Sequence, residues 1–322
     1  MSNKLKNRNE YAHPLVSICI PTYNGEQFIV ETMNSAISQT YSNLEIVVSD
    51  DASNDTTLKL IGEFKGKTKI PIRIFHHNPK GIGANWNNCI KKSKGQYIKF
   101  LFQDDVLKET CIEEMLLFAE NNKVDLVYCK RDFIYENKDT YITAWIENYG
   151  NLHDKWKKIN VNNGVIKGKE SLKDEYFMHS PENKFGEPTA VLLNKRIFKK
   201  IGYFNKDLIQ ALDIEFWWRF LCYFDTGFID KSLIYFRLHN KQASQINHIN
   251  QVNEMDVLHR FCYDKMFWKI HNKSKWFLLR KYNPLVKFIY QYTFFKNIEY
   301  LQNNYKKPKK ILKKVISKFQ DK

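Results

Sequence analysis

Four short apolar runs in the first hundred residues are rich in β-branched side chains and have the length of strands buried on both faces. They lie at residues 15–20, 44–49, 72–75 and 96–102. Helical spacing of apolar residues fills the intervals between them, at residues 26–39, 56–64 and 84–92. Because strand, turn and helix recur in this order, the pattern predicts an α/β fold with a mostly parallel sheet and crossover helices.

The pattern loosens after Cys111. Residues 135–165 are polar and aromatic without a period, and we expect them to form a substrate-facing loop region. Further strands are predicted at 124–129 and 190–193, and helices at 196–201 and 214–224.

Basic residues are concentrated in the last quarter of the chain. The formal net charge is +16, but residues 241–322 carry 18 Lys or Arg against 5 Asp or Glu, whereas residues 1–240 carry 33 against 30. This change in composition predicts a module boundary near Asn240. The tail mixes aromatic residues with Lys on two or three predicted helices, which are broken at Pro284 and Pro308.

Such a tail suits the surface of an anionic membrane, and the pattern at 311–319 places five apolar side chains on one helical stripe with Lys opposite. The alternative is a solvated basic helix that packs on the body or on a second subunit. Nucleic acid is not expected as a partner, because no nucleic-acid-binding motif accompanies the charge.

Composition excludes several classes of protein. With 43% hydrophobic residues the chain can build a packed core, which excludes wholesale disorder. No run approaches the roughly 18 apolar residues of a transmembrane helix, and residues 1–10 lack the apolar region of a secretory signal. The six cysteines are widely spaced and form no Cys-x-x-Cys pair, which is typical of reduced thiols and favours the cytosol.

Polar residues with ligand-binding chemistry follow the predicted strands. Residues 21–24 follow the first strand, Asp50 and Asp51 the second, and Asp104 and Asp105 the fourth. Ligands of open α/β sheets bind beyond the carboxyl ends of the strands, so these positions predict a binding site. Adjacent carboxylates repel unless a cation neutralises them, and Mg²⁺ or Mn²⁺ on a diphosphate prefers such ligands. Each acidic pair could instead cap a following helix.

Several ordered motifs resemble glycosyltransferase family 2. They are VSICIPTYNG at 16–25, SQTY at 38–41, EIVVSDDASND at 45–55, GQYIKFLFQDD at 95–105, GEPT at 186–189, IGYF at 201–204 and LDIEFWWR at 212–219. The resemblance runs from about residue 15 to residue 240. It implies a GT-A fold, which is Rossmann-like, and inverting transfer of a sugar from a nucleotide donor.

The resemblance also implies how the chain is divided. A nucleotide-sugar-binding half at 15–110 and an acceptor-binding, catalytic half at 111–240 are expected within one GT-A domain. The polar segment 1–14 precedes this domain, and the basic helical region 241–322 follows it.

On the donor side, the resemblance assigns roles residue by residue. Pro21, Tyr23 and Asp51 are expected to hold the base, usually uracil in this family. Tyr23 would offer a stacking face and Asp51 an acceptor for a ring N–H. Glu26 stands where the family has a carboxylate near the nucleoside, and Asp104 is expected to hydrogen-bond the ribose or the sugar.

The same resemblance implies a divalent metal cofactor, Mn²⁺ or Mg²⁺. Asp105 is expected to bind the ion that bridges the donor diphosphate. Gln103 stands where many members have Asp, which is a departure from the family's metal motif. His239, in the segment YFRLH, resembles a family position near the donor phosphates. It is a possible third metal ligand or phosphate contact, and a purely structural histidine is the alternative.

Asp213 is the expected general base. Inverting transfer needs a base on the face opposite the leaving diphosphate, where it accepts the proton of the acceptor hydroxyl. In the family the base lies in an acidic pair before an aromatic helix, and Leu212 here replaces the first acid of that pair. Glu215 is the rival candidate, and a helix cap is the alternative role for Asp213.

Three supporting residues have open alternatives. Glu187, in the GEPT motif, is a candidate for acceptor binding. Trp217 belongs either to the core or to a sugar platform, and Arg219 either pairs with a carboxylate or reaches the diphosphate.

Together these features predict a cytosolic glycosyltransferase, peripheral on the inner membrane, that acts on surface glycans. The expected donor is a UDP-sugar and the expected acceptor a glycan or lipid-linked glycan. A transferase that uses another nucleotide donor is one alternative. A non-catalytic nucleotide-sugar or glycan-binding module on the same fold is the other.

Overall fold

Four parallel strands form the first half of the sheet in the computed structural model, which describes residues 13–292. They are β1 (Val16–Thr22), β2 (Leu44–Asp50), β3 (Ile72–His76) and β4 (Tyr97–Phe100), arranged in the order β3-β2-β1-β4. Every residue of β1, β2 and β4 is buried, as expected for strands covered on both faces. Thr22 pairs with Asp50 and Asp50 with His76, so β1, β2 and β3 end level with one another. The predicted α/β class is confirmed.

Five further strands extend this sheet across the second half of the domain. They are β5 (Val106–Leu107), β6 (Leu126–Ile134), β7 (Gly164–Ile166), β8 (Val191–Asn194) and β9 (Thr226–Arg237). The described strands run β3-β2-β1-β4-β8-β6-β9-β5, and β7 pairs with β9. β8 is antiparallel to β4 and β6, whereas β6 and β9 are parallel. The sheet is therefore mixed beyond β4 rather than mostly parallel throughout.

Helices cover both faces of the sheet. Those in the described residues are α1 (Ile29–Ile37), α2 (Thr57–Glu63), α3 (Ile82–Lys92), α4 (Cys111–Asn122), α5 (Thr140–Tyr149), α6 (Gly168–Lys173), α7 (Ile197–Ile201), α8 (Leu212–Leu221), α9 (Ala243–Ile249), α10 (Met255–Phe261) and α11 (Asn272–Tyr282). Because side chains alternate along a strand, β1 supplies Cys19 to the core cluster under α3 and α8. Ile18 and Ile20 go to the second cluster, under α1 and α4.

Residues 135–165 are not the unperiodic loop region that the sequence predicted. They contain α5 and the beginning of β7. Asp139 caps α5 by accepting a hydrogen bond from the N–H of Ile142 at 2.7 Å. Ile142 is the one buried residue of this helix, so its apolar face is too narrow to give a clear helical period.

Strand β9 was missed from the sequence. Its apolar pattern is interrupted by Asp230, Lys231 and Ser232, where the register with β6 shifts. A bulge of this kind breaks the alternation on which strand prediction depends. The consequence matters for function, because the end of β9 delivers Arg237 and His239 to the sheet edge that carries the acidic pairs.

The chain beyond Asn240 is helical where it is described. Leu258 of α10 and Leu278 of α11 are fully buried against the first core cluster. Helix α11 ends before Pro284. Within residues 13–292, no helix combines the length and the apolarity needed to cross a bilayer. Pro308, the predicted stripe at 311–319 and residues 1–12 lie outside the described residues.

Candidate active site

The turn after β1 presents Tyr23 at the carboxyl edge of the sheet, with 57% of its surface exposed. Its backbone is held by Gln103, whose Oε1 accepts from the Tyr23 N–H at 2.9 Å. The Gln103 Nε2 donates back to the Tyr23 carbonyl at 3.0 Å. A carboxylate has no N–H to donate, so the Gln that departs from the family motif makes a pair of bonds that Asp could not make. Pro21 is buried in β1, two residues before the exposed ring.

Asp51 follows β2 beside this turn and is 9% exposed. Its N–H donates to the Thr22 carbonyl at 2.9 Å, and its Oδ1 lies 2.8 Å from Nδ1 of His77. The side chain of Asp50 has a structural role instead, since it accepts hydrogen bonds from Thr22 and Ser53. Asp50 is therefore the acid of this pair that holds the turn, and a contact of Asp51 with the donor base stays a prediction.

Glu26 lies on the same turn, and its carboxylate is engaged by the N-cap residue of α2. Its Oε2 accepts from the Thr56 N–H at 2.9 Å and from the Thr56 hydroxyl at 2.6 Å. These hydrogen bonds lower the pKa of the Glu26 carboxyl. Glu26 thus connects the turn after β1 to the start of α2. Its contact with a nucleoside stays a prediction.

Asp104 and Asp105 follow β4 and have different surroundings. The Asp104 carboxylate lies partly exposed, with Oδ2 3.0 Å from Nε2 of His239. Asp105 is 1% exposed, and its Oδ1 accepts from the Arg237 N–H at 3.1 Å. Burial and the neighbouring Asp104 charge raise the pKa of Asp105 well above its ordinary value.

The donor set around these acids fits a hard divalent cation. Oδ2 of Asp105 is buried without a hydrogen-bond partner, and an unpaired buried carboxylate oxygen is costly unless a cation compensates it. Carboxylate oxygens and an imidazole from His239 are ligands that Mn²⁺ accepts. Within residues 13–292 no three His, Cys, Asp or Glu side chains form a ready-made metal cluster. Oxygen atoms from a ligand would therefore have to complete the coordination.

Asp213 lies in the first turn of α8. Its Oδ1 accepts from the Ile214 N–H at 2.7 Å and its Oδ2 from Nδ2 of Asn183 at 2.9 Å. Burial raises the pKa of Asp213 to about 7, and the Glu187 charge acts in the same direction. A carboxyl with this pKa can accept a proton near neutral pH.

Glu187 is close enough to both acidic groups for its charge to raise the pKa of Asp105 and of Asp213. It forms an ion pair with Arg131, whose side chain is only 3% exposed. Arg131 also donates to the Tyr149 carbonyl at the end of α5. The Glu187 charge thus acts on both Asp105, on the donor side, and Asp213, on the acceptor side.

Three other candidates on α8 have structural partners. Trp217 is 1% exposed and packs in the core, with Nε1 donating to the Gly186 carbonyl at 3.2 Å. Glu215 is buried and pairs with Arg219 one turn later at 2.7 Å. Arg219 also donates to the Ile201 and Tyr203 carbonyls. Of the two rival acids on this helix, Glu215 is already paired with Arg219, whereas Asp213 accepts hydrogen bonds from the neutral Asn183 and Ile214 donors.

Sequence reasoning missed His77, Arg131 and Asn183. His77 follows β3 at the same sheet edge as the acidic pairs, so the strand-end argument could have found it. Arg131 lies beyond the predicted end of its strand, and β6 continues to Ile134. Asn183 stands in an irregular segment 30 residues before Asp213, and nothing in the local pattern signals the contact.

Comparison with known proteins identifies the family. The model of glycosyl transferase family 2 matches residues 17–202. The chain belongs to glycosyltransferase family 2. An uncharacterized glycosyltransferase of Rickettsia typhi is 31% identical over 256 residues, which cover 78% of this chain and 72% of that protein. The predicted family and the predicted transferase activity are confirmed.

Other relatives are longer or match over a shorter stretch. An uncharacterized glycosyltransferase of Rickettsia felis is 30% identical over 87% of this chain, which spans only 44% of that protein's length. The Escherichia coli enzyme WfaP, a UDP-Glc:α-D-GlcNAc-diphosphoundecaprenol β-1,3-glucosyltransferase, is 40% identical over 40% of this chain and 50% of its own.

Solved structures confirm the GT-A fold. The Staphylococcus aureus protein TarS (residues 1–349), in complex with UDP-GlcNAc, superposes with a TM-score of 0.60 at 18% identity, over 83% of this chain and 71% of that chain. The mannosyltransferase PcManGT of Pyrobaculum calidifontis, in complex with GDP-Man and Mn²⁺, superposes with a TM-score of 0.52 at 13% identity, over 84% of this chain and 75% of that chain.

Proposed function

We propose that this glycosyltransferase transfers a sugar, with inversion, from a UDP-sugar to a hydroxyl of a glycan or lipid-linked acceptor in surface polysaccharide synthesis. The observation that carries the proposal is that two acidic groups on different elements are both within reach of the Glu187 charge. Asp104 and Asp105 follow β4, Asp213 lies in the first turn of α8, and Glu187 raises the pKa of both Asp105 and Asp213. Inverting displacement needs this division between a leaving-group side and a base side.

For the donor base, Tyr23 and Asp51 are the proposed contacts. Tyr23 exposes an aromatic face on a turn that Gln103 immobilises, and Asp51 lies next to it with a carboxylate acceptor. Uracil offers a face for stacking and a ring N–H for a carboxylate. The UDP and UDP-GlcNAc complexes of TarS support a uridine donor by analogy of fold.

A divalent ion, Mn²⁺ or Mg²⁺, is the proposed cofactor. Asp105 would bind it, with Asp104 and His239 alongside as the nearest further ligands. When bound, the ion would stabilise the negative charge of the leaving diphosphate. On the protein's side, the Arg237 N–H fixes one oxygen of Asp105 and leaves the other for the ion.

Asp213 is the proposed general base. It accepts the proton of the acceptor hydroxyl as that oxygen attacks the anomeric carbon and the bond to the nucleoside diphosphate breaks. Burial keeps its pKa near neutrality, so the carboxylate is available and still basic enough to hold the proton. Glu187, fixed by Arg131, would bind an acceptor hydroxyl nearby.

We also propose that the C-terminal region holds the enzyme at an anionic membrane surface. Trp268 and Phe288 are 85% and 67% exposed, and residues 255–292 carry eight Lys or Arg against two Asp. Exposed aromatics beside Lys suit the lipid interface. The acceptor named for the WfaP relative is linked to diphosphoundecaprenol, and a lipid acceptor fits an enzyme at that surface. Replacing both Trp268 and Phe288 by Ser in the full chain should reduce sedimentation with anionic vesicles, and unchanged sedimentation would contradict the proposal.

Nucleotide release tests the reaction. The purified protein is incubated with a panel of UDP-, GDP- and TDP-sugars, with and without Mn²⁺ and an acceptor extract. Release from a UDP-sugar that depends on the acceptor and the metal is expected. The Asp213→Asn variant should retain UDP binding and lose transfer. Full activity in Asp213→Asn would refute the base, and release from only a GDP- or TDP-sugar would refute the uridine donor.

A further inference from the structure

Asn183 makes a contact with Asp213 that the general mechanism does not require. Its Nδ2 donates to Oδ2 of Asp213 at 2.9 Å and to the Gly186 carbonyl at 3.1 Å. Its Oδ1 accepts from the N–H groups of Phe185 and Gly186 at 3.0 and 2.9 Å. Every polar atom of this carboxamide is therefore engaged, partly by its own loop and partly by the proposed base.

The orientation of the carboxamide is dictated by its surroundings. Two backbone N–H groups point at one end of the group, so that end must be the oxygen. The NH₂ end must then face Asp213. A rotated carboxamide would place two donors against donors and an oxygen against a carboxylate, which would lose all these hydrogen bonds.

Helix α8 holds the Asn183 loop at two points. Asp213 contacts Asn183, and Trp217, one turn later on the same face, donates from Nε1 to the Gly186 carbonyl at 3.2 Å. Trp217 is 1% exposed, so this second attachment is rigid. Gly186 has a φ of +104°, a conformation that favours glycine and turns the chain back toward the helix.

We propose that Asn183 is a positioning residue that fixes the rotamer of the Asp213 carboxylate and stabilises its ionised form. The proposal rests on the role of Asp213 as the general base. Nδ2 occupies one lone-pair direction of Oδ2, so the carboxylate keeps a single orientation before the acceptor arrives. A hydrogen bond donated to a carboxylate favours its charged form.

The other charges that face Asp213 act in known directions. Glu187 raises the pKa of Asp213, Arg131 lowers it, and the Ile214 N–H lowers it as well. Glu215, on the same helix, is paired with Arg219. Asn183 is a neutral donor beside these groups. Their combined effect, together with burial, keeps Asp213 protonated below neutral pH.

The Asn183→Asp variant separates positioning from loop structure. Its carboxylate can still accept from the Phe185 and Gly186 N–H groups, and the Gly186 carbonyl, which loses its Asn183 donor, keeps the Trp217 donor. The NH₂ that faced Asp213 becomes an oxygen, and the introduced carboxylate ionises first because two N–H groups stabilise it. Ionisation of Asp213 is then opposed by an adjacent negative charge.

The expected result is a shift of the acidic limb of the kcat–pH profile to higher pH by at least about one unit, which gives about fivefold lower kcat at pH 7 and recovery near pH 9. KM for the nucleotide sugar should not change. Asn122→Asp is the matched control, since it adds the same charge at the exposed end of α4. An unmoved limb in a folded Asn183→Asp protein would overturn the proposal.

A measurement without substrate guards against loss of activity for other reasons. The unfolding free energies of wild type, Asn183→Asp, Asp213→Asn and the double variant form a cycle at pH 8. We expect the two changes in unfolding free energy to be strongly coupled, with Asn183→Asp far less destabilising when residue 213 is the neutral Asn. Additive changes would overturn the proposal. Activity that survives in Asp213→Asn would refute Asp213 as the base. If Asp213→Asn is inactive but the acidic limb of Asn183→Asp does not move, Asp213 remains the proposed base and only the role of Asn183 is refuted.

Discussion

The half-buried Asp213, whose carboxyl is desolvated in the fold, should make the stability of the protein fall as pH rises through the acidic range. Burial raises its pKa in the native state from 3.8 to about 7. Between these two values the native protein binds a proton at this site that the unfolded chain has already released. Stability therefore decreases with increasing pH over that window, and it stops decreasing above about pH 7. Asp213→Asn removes the titrating group and with it this pH dependence.

The magnitude follows from the width of the window. Each pH unit in which only the native state holds the proton costs about 1.4 kcal/mol. Between pH 5 and pH 7 the wild type should lose about 2.3 kcal/mol relative to Asp213→Asn, because the native site is only half protonated at pH 7. The variant also changes the hydrogen bonds from Asn183 and Ile214, at about 1 kcal/mol each, but that cost is the same at both pH values and cancels in the comparison.

Urea unfolding at pH 5, 6, 7 and 8 measures the difference in unfolding free energy between the two proteins. We expect the difference to move in favour of Asp213→Asn by 2 to 3 kcal/mol from pH 5 to pH 7, flattening above it, as in the estimate above. Asp207→Asn, at an exposed position on the preceding loop, is the control and should show no such trend. A difference that stays constant within about 0.5 kcal/mol would show that Asp213 ionises at its ordinary value and would refute the argument from burial.

Four further substitutions test other parts of the structure. Asp51→Ala should weaken UDP binding about ten- to a hundredfold by calorimetry, as expected for loss of a hydrogen bond to a charged acceptor. Arg131→Met should destabilise the fold by roughly 2–4 kcal/mol in urea, because it leaves the Glu187 carboxylate without its buried partner. Gly95→Ala should destabilise the fold by roughly 1–3 kcal/mol in urea unfolding, since a Cβ there would lie 2.6 Å from a backbone nitrogen. Gly62→Ala, where a Cβ on α2 meets open space, should instead stabilise the fold by up to about 1 kcal/mol.

The parallel half of the fold was predictable because its strands are continuous apolar runs with sharp polar ends. Periodicity carries less information where an element has one buried residue, as α5 has in Ile142. It also fails where a bulge interrupts the alternation, as at residues 230–232 of β9. The antiparallel position of β8 between β4 and β6 is a matter of long-range pairing, which local patterns do not encode.

The candidate site was predictable as far as strand ends and motifs reach. They located Tyr23, Asp51 and the acids after β4, and the resemblance added Asp213. They could not show that His239 lies 3.0 Å from Asp104, because that contact joins positions 135 residues apart. The same limit applies to Asn183, whose contact with Asp213 depends on how an irregular segment folds back on α8.

The charge distribution bears on how an anionic donor can bind here. The net charge of +16 is concentrated in the last quarter of the chain, and several cations beside the described acids already have acid partners. Arg131 is paired with Glu187, and Arg237 with Glu31. A diphosphate that approached Asp104 and its neighbour without a counterion would therefore meet negative charge. This repulsion is the electrostatic reason to propose that the donor binds together with a divalent ion.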